Sequence, residues 1–235
     1  MLITGIKALT FDVFGTVVDW RSSIVHEAAV MELGVDGAKF ADDWRAGYQP
    51  AMARVRSGQA GWTSVDALHR QILDELIEKY KITGLTEAKK VHLNRVWHRL
   101  DPWPDAALGV WQLRRKFICA TLSNGNVSLL VDLSRHGGLT WDCVLSAELY
   151  RAYKPDPKVY LGAAEMLGVK PAETMMVAAH KGDLLAARKA GLKAAFVERP
   201  LEKGSGGGAD TGREDWMDIY AKDFIDLVRQ LGAAA

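Results

Sequence analysis

Cysteine is almost absent from this chain. Two occur, Cys119 and Cys143, each in or beside an apolar stretch ("KFICATLSN", "WDCVLSA"), which suits a small buried hydrophobe and offers no disulfide framework. Neither sign of charge is in excess: 30 Lys and Arg against 29 Asp and Glu leave a formal +1. No basic run interleaves with aromatics in the way that tracks a phosphate backbone, so nucleic acid is not an expected partner. Long uncharged apolar runs are missing too. Nothing approaches the roughly eighteen residues of a membrane span, and the first residues lack a basic start, an apolar core and a small-residue cleavage site. No membrane partner is expected, and the expected location is cytoplasmic. Histidine forms no ligand set. His92 and His98 fall on different faces of one helical pattern and His26, His69 and His136 stand alone, which predicts no metal site.

What the chain does have is apolar patterning. With 49% apolar residues over 235 positions it can bury a full core, as one large domain or one domain with a smaller insertion. Residues Ile6–Phe11 read as a buried strand ending at Asp12 and a Gly-Thr turn. From Ser22 to Leu100 the pattern turns helical in "SSIVHEAAVMEL", "AKFADDWRAGYQPAMARVRS", "SVDALHRQILDELIEKY" and "TEAKKVHLNRVWHRL", with apolar positions three or four apart. After "DPWPDA" strands and helices alternate. Strands are expected near Phe117–Leu122, Cys143–Leu145, Thr174–Ala178 and Ala194–Val197, and helices from Val127, over Pro157–Leu167 and over Asp183–Ala190. The fold class is therefore α/β: a doubly wound parallel sheet whose ligands bind beyond the strands' carboxyl ends. The helical block is an insertion after the first strand, placed as a lid. The expected division is 1–17 with 101–235 as core and 18–100 as helical cap. "EKGSGGGADTG", Glu202–Gly212, lacks a P-loop ending and reads as a flexible surface loop.

Four polar clusters fall at the strand ends: Asp12 with Thr16, Ser123-Asn124-Gly125, Lys154 in "YKPDPKVY", and His180 with Asp183 in "VAAHKGD". Each alone is ordinary loop chemistry. Their order along the chain and their shared location carry the weight.

In "FDVFGT", "LSNG", "YKPDPKVY" and "VAAHKGDLLAARKAGL" the chain resembles the haloacid dehalogenase (HAD) superfamily and, within it, the type II, L-specific 2-haloacid dehalogenases. The phosphatases of that superfamily carry Asp-x-Asp in the first motif and an acidic pair in the last; here the corresponding residues are Phe14 and His180. In phosphoryl transfer the second Asp protonates a poor leaving group and clustered carboxylates hold magnesium. Phe14 can do neither. A halide leaving an sp³ carbon needs no proton, and an apolar neighbour keeps a lone carboxylate poorly hydrated and reactive.

The resemblance implies a hydrolase that converts a short 2-haloalkanoic acid to a 2-hydroxy acid and halide through an aspartyl ester, without a cofactor. Asp12 is then the nucleophile and Arg45 in "DWRAGYQPAM" receives the halide. Asn124 helps hold the leaving group, Ser123 and nearby amides hold the substrate carboxylate, and Val13 and Phe14 border the substrate. Lys154, supported by Tyr160, orients Asp12. Asp183 activates water and Thr16 fixes the first loop. His180 stands where the resembling enzymes carry an amide, and is expected near the nucleophile as a donor to halide or substrate. Trp20, Trp44 and Trp62 either wall the pocket or belong to the core. Dimers are common in the resembling family, so a homodimer is an expected assembly. Three other functions stay open on the same residues: a magnesium-dependent phosphatase, a hydrolase opening a strained ring at the same α-position, and a non-catalytic binding module.

Overall fold

A computed structural model describes residues 4–233. Among the described residues six parallel strands form one sheet: β1 (Ala8–Phe11), β2 (Ile118–Ser123), β3 (Cys143–Ser146), β4 (Thr174–Ala178), β5 (Lys193–Val197) and β6 (Ile219–Ala221), in the order β3-β2-β1-β4-β5-β6. Every residue of β1 and β4 is buried, the near-continuous apolar run that a parallel strand covered on both faces requires. Successive strands are laid on one side of β1 and then, from β4, on the other. The crevice of such a sheet opens where that order reverses, between the carboxyl ends of β1 and β4. Asp12 follows β1 directly and its N–H donates to the Val177 carbonyl of β4 at 3.0 Å.

Between β1 and β2 lie α1 (Trp20–Val30), α2 (Gly37–Arg56), α3 (Val65–Lys79), α4 (Glu87–Asn94), a 3₁₀ turn at Arg95–His98, and α5 (Ala106–Leu113). Side chains at the N-caps start the first four: Asp19 accepts from Ser22 N–H, Asp36 from Lys39, Ser64 from Ala67 and Thr86 from Lys89, each satisfying a donor the helix leaves orphaned. The remaining helices are α6 (Val127–His136), α7 (Pro157–Met166), α8 (Lys181–Lys189) and α9 (Phe224–Gln230). Outgoing and returning chain run side by side where the helical block joins the sheet, through Asp19 N–H to Asp101 carbonyl at 2.8 Å and Trp103 N–H to Val17 carbonyl at 2.9 Å.

The strands expected from the sequence are present, Thr174–Ala178 with the expected ends and the others with one or both ends shifted by one or two residues. Helix α5, strand β6 and helix α9 were not expected. The apolar run "AALGVWQL" of α5 has no clear period, and the three-residue β6 is too short to leave one. The surface-loop expectation for Glu202–Gly212 requires correction at its first residue. Glu202 is 2% exposed, because partners distant in sequence satisfy its carboxylate, as described below.

No helix among the described residues is long and apolar enough to cross a membrane.

Candidate active site

Asp12 is the centre of a hydrogen-bonded cluster. The Lys154 ammonium lies 2.9 Å from Asp12 Oδ1 and 2.6 Å from Asp183 Oδ2, bridging the two carboxylates. Tyr160 donates to the other oxygen of Asp183 at 2.6 Å. On the far side, Asp12 Oδ2 accepts from Thr16 Oγ1 at 2.9 Å and meets His180 Nδ1 at 3.1 Å. The Thr16 hydroxyl has one orientation available. It accepts the Ala179 N–H at 2.9 Å, so its own proton is aimed at Asp12.

His180 is held from both ends. Its Nε2 lies 3.0 and 3.1 Å from the two oxygens of Glu202, and Glu202 Oε1 also accepts from Trp20 Nε1 at 3.0 Å. Glu202 sits on Gly15, whose φ is +83° and where a Cβ would fall 2.1 Å from Glu202 Oε1. Only glycine fits there, both for its backbone and for the carboxylate above it.

The electrostatics follow from these contacts. Burial pushes the pKa of Asp12 up, but the Lys154 charge and then the His180 hydrogen bond outweigh it and hold Asp12 well below the carboxylate range. Burial would lower His180; hydrogen bonds to Asp12 and Glu202 raise it from 6.5 to about 10. Lys154 is raised too, against its own burial, by Asp12 and Asp183. The resting site therefore holds an ionised carboxylate between an ammonium and an imidazolium.

A cavity of about 400 Å³ lies above Asp12, between the sheet and α2. From α2, Arg45, Tyr48 and Gln49 face it, at helical spacing on one side of the helix. The Arg45 guanidinium stacks 4.7 Å from the Tyr48 ring centre and 5.6 Å from that of Trp20. Its Nη1 is buried without a hydrogen-bond partner among the described residues, as is the Tyr48 hydroxyl, leaving donors aimed into an enclosed space. Asn124, Lys154 and Asp183 line the sheet side. Asn124 Oδ1 accepts the Lys154 N–H at 2.7 Å, tying the second cluster to the third. Phe14 is 3% exposed, with edge-on contacts to Tyr48, His69 and Trp97, so the position that could hold a second acid is an apolar wall. His69, behind that wall, is lowered to about 3 by burial first and the Arg45 charge second, and is neutral.

Asp12, Phe14, Arg45, Asn124, Lys154, Tyr160, His180 and Asp183 thus meet at one cavity, with Thr16 just beneath it. Ser123 and Val13 do not line it. Ser123 Oγ accepts the Gly125 N–H at 3.1 Å, and Val13 is packed into the core with its carbonyl accepting from Val17 N–H. The expectation that His180 donates to substrate also changes, since both its ring nitrogens face carboxylates. Trp20 and Trp44 are core residues, while Trp62 packs on Tyr153 at 4.8 Å. Glu202, which sequence reasoning missed, had no local signal: its partners are 22 and 182 positions away. Tyr48 and Gln49 had one, the i+3 and i+4 spacing from Arg45. Among the described residues no three His, Cys, Asp or Glu side chains converge as metal ligands would.

This arrangement suits attack by a carboxylate on a small anionic substrate, with a cationic wall opposite to receive a departing anion. The model of a family described as haloacid dehalogenase-like hydrolase matches residues 6–191. Among solved structures the chain is similar to an L-2-haloacid dehalogenase, at 48% identity and a TM-score of 0.92, covering 96% of this chain and 99% of that one. A defluorinating L-2-haloacid dehalogenase is 42% identical, with 97% and 95% of the two chains covered and a TM-score of 0.92. The L-2-haloacid dehalogenase of Xanthobacter autotrophicus, solved with chloropropionic acid covalently bound, is 26% identical over 98% of this chain and 100% of that chain, with a TM-score of 0.82.

Proposed function

This chain belongs to the haloacid dehalogenase-like hydrolases, and from that premise we propose that it hydrolyses short 2-haloalkanoic acids to 2-hydroxy acids and halide through an ester on Asp12. The L handedness named for the similar structures is carried into the proposal. One observation supports it above the rest: Asp12 is held ionised by Lys154 at the floor of a small cavity, with Arg45 opposite and Phe14 where a phosphatase would place its second acid.

The steps use groups at that cavity. Each carboxylate oxygen offers two lone-pair sites. Thr16 and His180 fill both on Oδ2, whereas Lys154 takes one on Oδ1, so Oδ1 is the oxygen free to attack. It displaces halide from the α-carbon with inversion, and the departing anion moves toward Arg45, with Asn124 beside it. Attack by an anion on an anion is made possible by the cations facing the attacking oxygen and the cavity, Lys154 and Arg45, in a site with little water. Water then attacks the Asp12 carbonyl carbon, its proton passing to Asp183, and no step calls on a metal. Residues 18–100 serve as the cap that closes the cavity. The ring-opening and phosphatase readings find no proton donor at Phe14, and His180 is already engaged by two carboxylates.

The test is a single turnover of (S)-2-chloropropionate in ¹⁸O-water with enzyme in excess and a metal chelator present. Label is expected in the Asp12 carboxylate, located by peptide mass spectrometry, and absent in Asp12→Asn. Label found only in the product would mean that water attacks the substrate directly, and the nucleophile assignment would fall.

A further inference from the structure

The attacking oxygen fixes what the other one becomes. Once Oδ1 carries the substrate carbon, Oδ2 is the carbonyl oxygen of the ester. When water adds to the carbonyl carbon, the pair from the C=O bond collects on Oδ2. Two donors already point at that atom, the Thr16 hydroxyl at 2.9 Å and His180 Nδ1 at 3.1 Å, distances suited to a developing oxyanion.

We propose that Thr16 and His180 form the oxyanion hole of the ester-hydrolysis step, and that Glu202 is a positioning residue that keeps His180 protonated and aimed at Oδ2. The inference rests on the functional reading above and extends it to a residue in the loop after β5. The contacts favour one charge state. Nε2 faces two carboxylate oxygens and Nδ1 a third; ionised carboxylates only accept, so both nitrogens are matched when each carries hydrogen. After Asp12 is esterified, the Glu202 pairing remains and still favours the imidazolium. The other groups facing His180 are Lys154, on the far oxygen of Asp12, Arg45 across the cavity, and Lys181 and Asp183 on its own helix. Glu202 is the carboxylate among these that no reacting atom touches.

The proton and electron balance closes. Water gives one proton to Asp183 and its oxygen bonds to the carbonyl carbon, with the electron pair held on Oδ2 by Thr16 and His180. Collapse restores the C=O bond and breaks the carbon–Oδ1 bond. Oδ1 leaves as the product alkoxide and takes the proton from Asp183. The Asp12 carboxylic acid then loses its own proton to solvent, and the halide and that proton are the net acid released. An imidazolium has no lone pair to accept the water proton, so His180 acts here as donor and not as base.

Glu202→Gln is the decisive variant, since its amide oxygen still accepts from Trp20 Nε1 while the charge is lost. In rapid-quench single turnovers with (S)-2-chloropropionate, ester decay is expected to slow about a hundred-fold, while halide release slows less than about three-fold, so the ester accumulates and is read by intact mass. Thr16→Val is expected to give the same split and Thr16→Ser to restore decay. Ester decay in the unsubstituted enzyme should fall as pH rises through the His180 ionisation, and Glu202→Gln should move that fall to lower pH. Decay that instead rises as pH passes through the His180 ionisation would make His180 a base and overturn the inference, as would equal slowing of both steps in Glu202→Gln and Thr16→Val. If no 2-haloacid releases halide, the functional reading itself fails. The charge state is then decided separately by ¹⁵N shifts of the His180 ring at about pH 8, where a neutral ring overturns the proposal.

Discussion

Asp12, His180 and Glu202 form a line of alternating charge in which the histidine is the one member whose ordinary pKa lies in the neutral range. Its folded value, raised to about 10 from 6.5, makes it a stability determinant as well as a donor. A group whose pKa is raised on folding contributes fully below its unfolded pKa, and that contribution is lost as pH rises through the folded one. Unfolding free energy, measured by urea denaturation, should therefore decline between about pH 6.5 and pH 10, and His180→Gln should flatten that decline. Asp12 works at the other end. Its pKa is depressed by Lys154 despite burial, so its contribution stands throughout the neutral range and is lost only as pH falls below the ordinary carboxylate value. An unaltered alkaline slope in His180→Gln would show that the charge on this ring is not held by Asp12 and Glu202.

At the scale of elements, the strands were legible because parallel strands buried on both faces read as short apolar runs, and β1 and β4 are entirely buried. The site residues were legible for a related reason: Asp12, Asn124 and His180 lie just past the ends of β1, β2 and β4, where this topology gathers its ligands. Side-chain direction was not legible. Ser123 and Asn124 are adjacent, yet one is turned to Gly125 N–H and the other lines the cavity. Helix α2 shows what period does reveal, since Arg45, Tyr48 and Gln49 share its cavity face while Phe40, Trp44 and Met52 are buried in the core. Its N-cap, Asp36, receives Lys39 N–H at 3.0 Å and lies more than two turns before Arg45. Asp36→Ala is expected to cost about 1 kcal/mol of stability by chemical denaturation. KM should stay within about two-fold, because packing rather than the cap holds the cavity face; a large rise in KM would mean that the cap sets the position of Arg45.

For the molecule as a whole, the cavity exists only while the helical block stays seated on the sheet, a seating made by shared apolar packing around Phe14, Tyr48 and Trp97, by the side-by-side chain at residues 17–19 and 101–103, and by a few polar links. Asp66 of α3 is the most connected of them. Its carboxylate meets His98 Nε2 at 3.0 Å and Asn126 Nδ2 at 2.9 Å, and its N–H donates to Asn126 Oδ1 at 3.2 Å. His98 reaches on to Asp132 of α6 at 2.8 Å, so one histidine links α3 to α6 with a carboxylate on each side. Burial lowers His98, but Asp66 and Asp132 raise it above the ordinary value. Tyr153 adds a bond to the Thr63 carbonyl. Asp66→Ala removes two of these links at once and leaves His98 with one partner. Hydrogen exchange followed by mass spectrometry should then show lost protection in α3 and the loop before it, with β1 and β4 unchanged, because the strands' bonds are independent of the seam. KM for the haloacid should rise several-fold as the closed cavity becomes less populated, since apparent affinity scales with the fraction of molecules competent to bind. Protection lost evenly across sheet and helices would instead mean that block and sheet unfold as one unit, and that the seam has no local opening for the substrate to use.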